Sequence, residues 1–291
     1  SANALFDKRL AQEEVWIRKG IEARRTRNEG RVRRLEQLRE IRSARRDQLG
    51  SVKLQIDNAQ ASGKIVAEVE HIRVAFGDKV VINDFSSKIL RGDKIGLIGS
   101  NGIGKTTLLK TILGEIEQTS GTIKLGSKLE VAYFDQLRQQ LDDNQTIQEV
   151  IGQGQDYIFI NGFRKHIATY LEDFLFDPAR FRSPVSSLSG GERNRLLLAR
   201  LFSQPANVLV LDEPTNDLDM DTLELLEELL ANFPGTVFLV SHDRAFLDNV
   251  VTQSWVFLGE GSILKLSGGY PDWFAYKEKY FAKHYRNQSE K

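Results

Sequence analysis

Apolar and polar positions alternate along this chain in several rhythms, and each rhythm predicts a different kind of element. Residues 4 to about 58 contain no proline and are rich in Arg, Glu, Gln and Leu. Leu5, Leu10, Val15, Ile17 and Ile21 form a loose apolar stripe, and Val32, Leu35, Leu38 and Ile41 recur every three residues. Breaks at Lys19-Gly20 and at Asn28-Glu29-Gly30 predict two antiparallel helices with a basic tip near Lys19–Arg25. A single solvated, charged helix is the alternative. The small residues Ala59–Gly63 mark a domain boundary. Ile65–Phe76 and Val80–Leu90 then alternate with period two, predicting antiparallel strands joined by a turn at Gly77-Asp78. Lys94–Gly99, Asn207–Glu213 and Thr236–Val240 are short, almost wholly apolar runs, the pattern of strands covered on both faces. Gly121–Lys124 and Leu129–Phe134 predict further short strands, and Lys105–Leu113 and Glu192–Phe202 predict amphipathic helices. Leu137–Phe181 reads as polar loops and helices, with His166 on a helix among Phe163, Ile167 and Tyr170 in a structural or exposed role. Val251–Leu266 predicts a hairpin turning at Gly259–Ser262, and the aromatic-rich Tyr270–Tyr285 predicts a closing helix before a polar tail, residues 284–291.

Composition narrows the class. The 291 residues, 41% hydrophobic and 27% charged, suit one large domain or two smaller ones. No run of about 18 apolar residues occurs, so neither a membrane-crossing helix nor a membrane partner is expected, and no signal peptide is visible. The absence of cysteine excludes disulfides and thiolate metal sites and fits a reducing compartment, so a cytoplasmic location is expected. The net charge of zero conceals an asymmetry: Arg18–Arg46 holds twelve Lys/Arg against four Asp/Glu, an excess of eight positive charges on an otherwise acidic chain. That segment calls for an anionic partner. Ser1–Asn3 read as a cloning remnant, with the natural protein extending upstream, since the only methionine is Met220.

Chemistry concentrates at a few places. Gly99, Ser100, Asn101, Gly102, Ile103, Gly104, Lys105, Thr106 and Thr107 fit G-x4-G-K-[S/T] between a strand and a helix. Glycines there let backbone N–H groups turn onto phosphate oxygens, the helix start adds its positive dipole end, Lys105 reaches the β- and γ-phosphates, and the Thr106 hydroxyl meets Mg2+. Ser189, Gly190 and Gly191 open a second helix and form a second anion receptor, more than one nucleotide requires in one molecule unless two molecules meet. Asp212 and Glu213 end a buried strand; Asp212 would hold Mg2+ through water and Glu213 would orient or deprotonate the attacking water, whereas two acids before Pro214 can also merely cap a turn. Gln136 at a strand end can ligate Mg2+ or position water, or be a surface glutamine. His242 after Val240 can bond a γ-phosphate, or be an ordinary histidine. Phe76, 23 residues before Gly99, can stack on adenine, or sit in the core.

Gly99–Thr106, Gln136, Leu188–Glu192, Asp212-Glu213, Asn216–Asp219 and His242, in that order, resemble the full motif set of an ATP-binding cassette domain over residues 64–275. The resemblance implies an α/β P-loop NTPase cassette at 63–283, with an antiparallel β subdomain around 64–90 and a helical subdomain around 137–200. It makes Phe76 the adenine-stacking residue and implies ATP and Mg2+ as cofactors, with Thr106, Gln136 and Asp212 at the metal. Glu213, His242, Gln136 and Lys105 become the catalytic group. Ser189, Gly190 and Gly191 then face the nucleotide of a second cassette, either the missing N-terminal half of the same protein or a homodimer mate. Asp212–Asp219 and Ser241–Asp248 look like the ABC-F subfamily, and the basic stretch Glu13–Arg31 looks like the linker between the cassettes of its Uup-like members. This makes residues 4–62 a basic α-helical linker hairpin that meets ribosomes, other RNA or branched DNA. The ATP-binding subunit of a transporter and a non-hydrolysing module are the competing functions.

Overall fold

The computed structural model describes residues 64–160 and 163–267. The predicted linker helices, the closing helix, the tail and the cloning remnant lie outside these residues. β1 (Ile65–Phe76) and β2 (Lys79–Leu90) pair as the expected antiparallel hairpin. β3 (Lys94–Ile98) is buried along its whole length and leads through a loop into α1 (Lys105–Ile112). β4 (Ser120–Leu125) pairs with β1 and completes a three-stranded antiparallel sheet. β5 (Val131–Tyr133) passes directly into α2 (Phe134–Gln140). α3 (Ile147–Gly152), β6 (Tyr157–Ile160), β7 (Phe163–His166) and α4 (Ile167–Asp173) follow. The chain continues through α5 (Gly190–Phe202), β8 (Val208–Asp212), α6 (Met220–Asn232), β9 (Thr236–Val240) and α7 (Arg244–Val250). The hairpin β10 (Gln253–Gly259) and β11 (Ser262–Ser267) closes the described part. Side-chain caps start the later helices: Asp219 accepts from the Thr222 N–H ahead of α6, and Asp243 accepts from the Phe246 N–H ahead of α7.

The centre is a six-stranded sheet in the order β11-β10-β3-β9-β8-β5, parallel except at the β10–β11 edge. Both faces are covered, which is why β8 and β9 read as unbroken apolar runs. Side chains alternate between two cores. Val208 and Val210 of β8, with Phe238 and Val240 of β9, face the antiparallel sheet and the apolar side of α1, Leu108 and Ile112. Leu209, Leu211, Val237 and Leu239 face the helices, among them Leu197 of α5, Leu226 of α6 and Leu247 of α7. Burying each such aliphatic side chain contributes about 1.5–3 kcal/mol relative to exposure. Trp255 of β10 ties the layers together, fully buried and edge-on to Phe85 of β2 at 4.9 Å between centroids. Gly96 is the one gap in β3: a Cβ there would lie 3.0 Å from Val251 Cγ1 and 3.3 Å from Leu247 Cδ2, so only glycine lets α7 pack this closely.

Four expectations need correction. The strand predicted at Leu129–Phe134 is only Val131–Tyr133, because Phe134 turns into the core and starts α2. Gln136 therefore lies on a helix rather than at a strand end. Leu137–Phe181 holds a β-hairpin, β6–β7, besides its loops and helices. His166 is the last residue of β7 and caps α4 through Nδ1, which accepts from the Ala168 N–H at 3.0 Å. Short strands that alternate exposed with half-buried positions are masked in sequence by their mixed composition.

Candidate functional site

Parallel register sets one edge of the central sheet. Leu97 of β3 pairs with Val240 of β9, and Val240 pairs with Asp212 of β8, so all three strands end together. The residues that follow, Gly99 onward, Glu213 and Ser241-His242, therefore converge at the carboxyl edge, where parallel α/β sheets place ligands.

The loop after β3 is shaped by Gly104. It has φ 121° and ψ 9°, outside the range of L-residues, and a Cβ would lie 2.6 Å from Val81 Cγ1 of β2. Gly104 also offers no side-chain cap to α1, and α1 has no acidic residue in its first turn. Its leading N–H groups have no intrahelical acceptor and are left for an anion. Lys105 is buried, and its Nζ donates to the Gly99 carbonyl at 2.5 Å across the loop. Desolvation pushes the Lys105 pKa below its ordinary value, while the carboxylates of Asp212 and Glu213 act to raise it. Among the other loop residues Ser100, Asn101, Gly102 and Thr106 are exposed, and Ile103 and Thr107 are half-buried.

Asp212 and Glu213 behave differently although adjacent. The Asp212 pKa is raised, first by burial and then by the Asp135 carboxylate, against the opposing pull of Lys105, His242 and Arg138. Glu213 takes φ 47°, a left-handed conformation unusual for glutamate, and its N–H donates to the Val240 carbonyl at 2.7 Å. Its Oε2 accepts from the His242 backbone N–H at 3.4 Å. Its Oε1 is buried, 3.4 Å from His242 Nε2, with no hydrogen-bond donor aligned on it. His242 Nε2 also lies 3.1 Å from Asn101 Oδ1, so the histidine spans the loop and the acid.

Lys105, Asn101, Asp212, Glu213 and His242 are thus one group. Gln136 sits between Asp135 and Arg138 on α2, the helix whose charges reach Asp212. Phe76 closes β1 with 55% of its surface exposed, on the hairpin whose β2 strand touches Gly104. Ser189 is not part of the group. It caps α5 in a reciprocal pair with Glu192: Ser189 Oγ accepts from the Glu192 N–H, and Glu192 Oε1 accepts from the Ser189 N–H, both at 3.2 Å. Asn194 Nδ2 donates to the Asn216 carbonyl at 2.9 Å, and Gly191 packs against the Asp217 carbonyl, tying this helix start to the turn after Glu213. Among the described residues no hydrogen bond joins Ser189–Gly191 to residues 99–107, and no three His, Asp or Glu side chains gather as a metal-holding group.

A family model described as "ABC transporter" matches residues 82–216, from β2 through Asp212-Glu213. The chain is 56% identical over 280 residues to the ATP-binding protein Uup of Escherichia coli (strain K12), covering 96% of this chain and 44% of that protein. The chain belongs to the ABC-F family and is Uup-like. It is also 38% identical over 258 residues to the energy-dependent translational throttle protein EttA of Mycobacterium tuberculosis, covering 89% of this chain and 46% of that protein. The chain therefore spans less than half the length of either relative. The solved structure of cbiO1 from Clostridium perfringens, part of the ABC transporter complex cbiONQ, matches with a TM-score of 0.57 at 23% identity, over 74% of this chain and 92% of that one, and shows the ATP-binding cassette fold.

Two features of this ABC-F cassette escaped the sequence. Asp135, beside the expected Gln136, raises the Asp212 pKa, and only the path of α2 brings it there. The Asn101–His242 contact joins residues 141 positions apart, and no local pattern marks it.

Proposed function

We propose that this chain is the second cassette, with its preceding linker, of a two-cassette ABC-F ATPase, and that it binds and hydrolyses Mg-ATP to switch a contact with ribosomes or nucleic acid. The observation that carries the proposal is the meeting of Lys105, Asp212, Glu213, His242 and Asn101 at the carboxyl edge of β3, β8 and β9.

Each residue then has a task. The free N–H groups of α1 and the loop hold the phosphates, and Lys105 exchanges the Gly99 carbonyl for phosphate oxygen. Phe76 offers an exposed ring to the adenine. Thr106, Gln136 and Asp212 are hard oxygen donors, too few to enclose a metal alone, as Mg2+ held largely by water and phosphate requires. Mg2+, when bound, balances the phosphate charge. The buried, donor-free Oε1 of Glu213 is the acceptor that orients a water, and His242 positions that carboxylate while reaching the loop. Ser189, Gly190 and Gly191, held apart from this group, serve the nucleotide of the other cassette. The basic linker supplies the polyanion contact in the cytoplasm. A ribosomal partner draws support from the throttle protein's name. The likeness to cbiO1 is one of fold and gives no support to a transporter role.

Glu213→Gln tests the proposal. Turnover should fall about 10²–10⁴-fold while ATP binding is kept, and turnover by the parent should rise with protein concentration as cassettes pair. Salt-dependent binding of the Glu213→Gln protein with ATP to ribosomes and to branched DNA, side by side, chooses the partner. Undiminished turnover in Glu213→Gln removes the assigned role.

A further inference from the structure

We propose that the outward face of the β6–β7 hairpin is a stacking platform for the bases of single-stranded nucleic acid, a second contact separate from the basic linker and from the nucleotide site. The register pairs Tyr157 with His166 and Phe159 with Arg164, so these four residues share one face of the ribbon. All four are exposed, Phe159 at 70% and Tyr157 at 44%. The opposite face carries Ile158 and Ile160, which pack against the helical core and fix which side looks outward. Phe163 pairs with Ile160 and therefore belongs to the other face of the ribbon, outside the platform.

Rings held open to water on a short ribbon serve neither the core nor its stability, and grouped exposed apolar surface marks a contact site. The chemistry around the rings selects the partner. The Arg164 guanidinium lies 4.2 Å from the Tyr157 ring centroid, and the His166 ring meets Tyr157 edge-on at 5.1 Å. Because His166 Nδ1 accepts from the Ala168 N–H, the proton of the neutral ring sits on Nε2, which is left as a donor. Of the nearby acids, Asp173 is paired with Lys165 on the opposite face, and Asp156 precedes the ribbon. Flat rings flanked by an arginine and a histidine donor match the two parts of a single strand: bases to stack and phosphates to neutralise. A duplex hides its bases and offers only the second part.

The test uses the full chain without nucleotide, so its outcome does not depend on ATP hydrolysis. Fluorescein-labelled oligouridine and oligothymidine of about fifteen nucleotides are titrated at about 0.3 M salt, where ionic binding by the linker is weakened and stacking persists. Phe159→Ala and Tyr157→Ala should each lower single-strand affinity about tenfold, Phe159→Trp should retain it, and a duplex of the same length should show no such loss. The ratio of the two affinities tells RNA from DNA, and binding of either supports the platform. Photocrosslinking of the unmodified chain to 4-thiouridine RNA gives a readout independent of any variant's folding. Crosslinks at Tyr157 or Phe159 support the proposal; crosslinks found only away from this face, as at residues 4–62, overturn it. Equal affinity of Phe159→Ala and parent overturns it too, as does a Phe159→Ala change seen only in self-association by sedimentation.

Discussion

Gly104→Ala separates the shape of the phosphate loop from its chemistry. The residue sits at φ 121° with Val81 Cγ1 2.6 Å from where the new methyl would go. Holding alanine in that backbone region costs about 1–3 kcal/mol. Forcing the methyl against Val81 adds about 1–3 kcal/mol of overpacking. The stiffer unfolded chain returns about 0.4–1 kcal/mol, leaving a net loss of about 1–5.5 kcal/mol. Gly102, two residues earlier, has φ 76° and nothing within 4 Å of its would-be Cβ, so Gly102→Ala carries strain without overpacking and, after the same return, should lose only about 0–2.5 kcal/mol. Urea unfolding followed by circular dichroism measures both. Adding Val81→Ala to Gly104→Ala should recover the overpacking share as a coupling energy of about 1–3 kcal/mol in a double-mutant cycle. Fluorescent-nucleotide titration should show ATP affinity down on the order of tenfold or more in Gly104→Ala, because the displaced loop no longer points its N–H groups at one spot. Equal stability of Gly104→Ala and Gly102→Ala, or no coupling to Val81, would refute the steric account. Unchanged ATP affinity would refute the cradle.

Asp212 has a raised folded pKa, so its ionisation opposes folding: the penalty is absent below the ordinary carboxylate range and sets in as pH rises through the folded pKa. Asp212→Asn should therefore melt above the parent at pH 7.5, the gap closing toward pH 4, even as nucleotide turnover is lost; a parent that is the more stable at pH 7.5 by scanning fluorimetry contradicts this. Ser189→Ala removes the cap of α5 and should lower unfolding free energy by about 1 kcal/mol, whereas Ser189→Asp keeps an acceptor and should restore it while weakening ATP-dependent pairing of cassettes. Equal destabilisation of the two in urea melts would show that the cap bond is not what Ser189 contributes.

Legibility in sequence followed the range of the forces involved. The strand–loop–helix around Gly99–Lys105 was readable because its glycines, its lysine and its apolar flanks act within a few residues of each other. β8 and β9 were readable because burial on both faces confines polar residues to one end of each strand, Asp212 and Thr236. The α2 start was not, since Phe134 is apolar whether it ends a strand or begins a helix, and only packing under the helical core decides. The left-handed backbone of Glu213 was hidden for a like reason: its N–H bond to Val240 depends on a neighbouring strand 27 residues away. The residues proposed for the site stand out in the sequence, but their alignment needed the parallel register of three strands.

The two glycine-led helix starts look alike in sequence and differ in electrostatics, and the difference bears on how a cassette pair works. α1 begins at an uncapped glycine with no first-turn acid, so its dipole and free N–H donors face outward undiminished. α5 begins with a carboxylate already in place. Desolvation would raise the Glu192 pKa, yet the Ser189 N–H and the Arg180 guanidinium, 3.0 Å away, outweigh it and hold the acid below its usual range, ionised at neutral pH. A resident negative charge cancels part of the attraction for an arriving anion, so α5 is a poor site for free nucleotide. What remains there is directional: the Ser189 oxygen accepts from the Glu192 N–H, and its hydroxyl proton, which is drawn to the Glu192 carboxylate, has to turn from it to meet a phosphate presented from outside. The expected order is therefore filling at α1 first and capture at α5 second. In the two-cassette ATPase proposed above, pairing would then depend on nucleotide already bound, and release would follow once the γ-phosphate is gone.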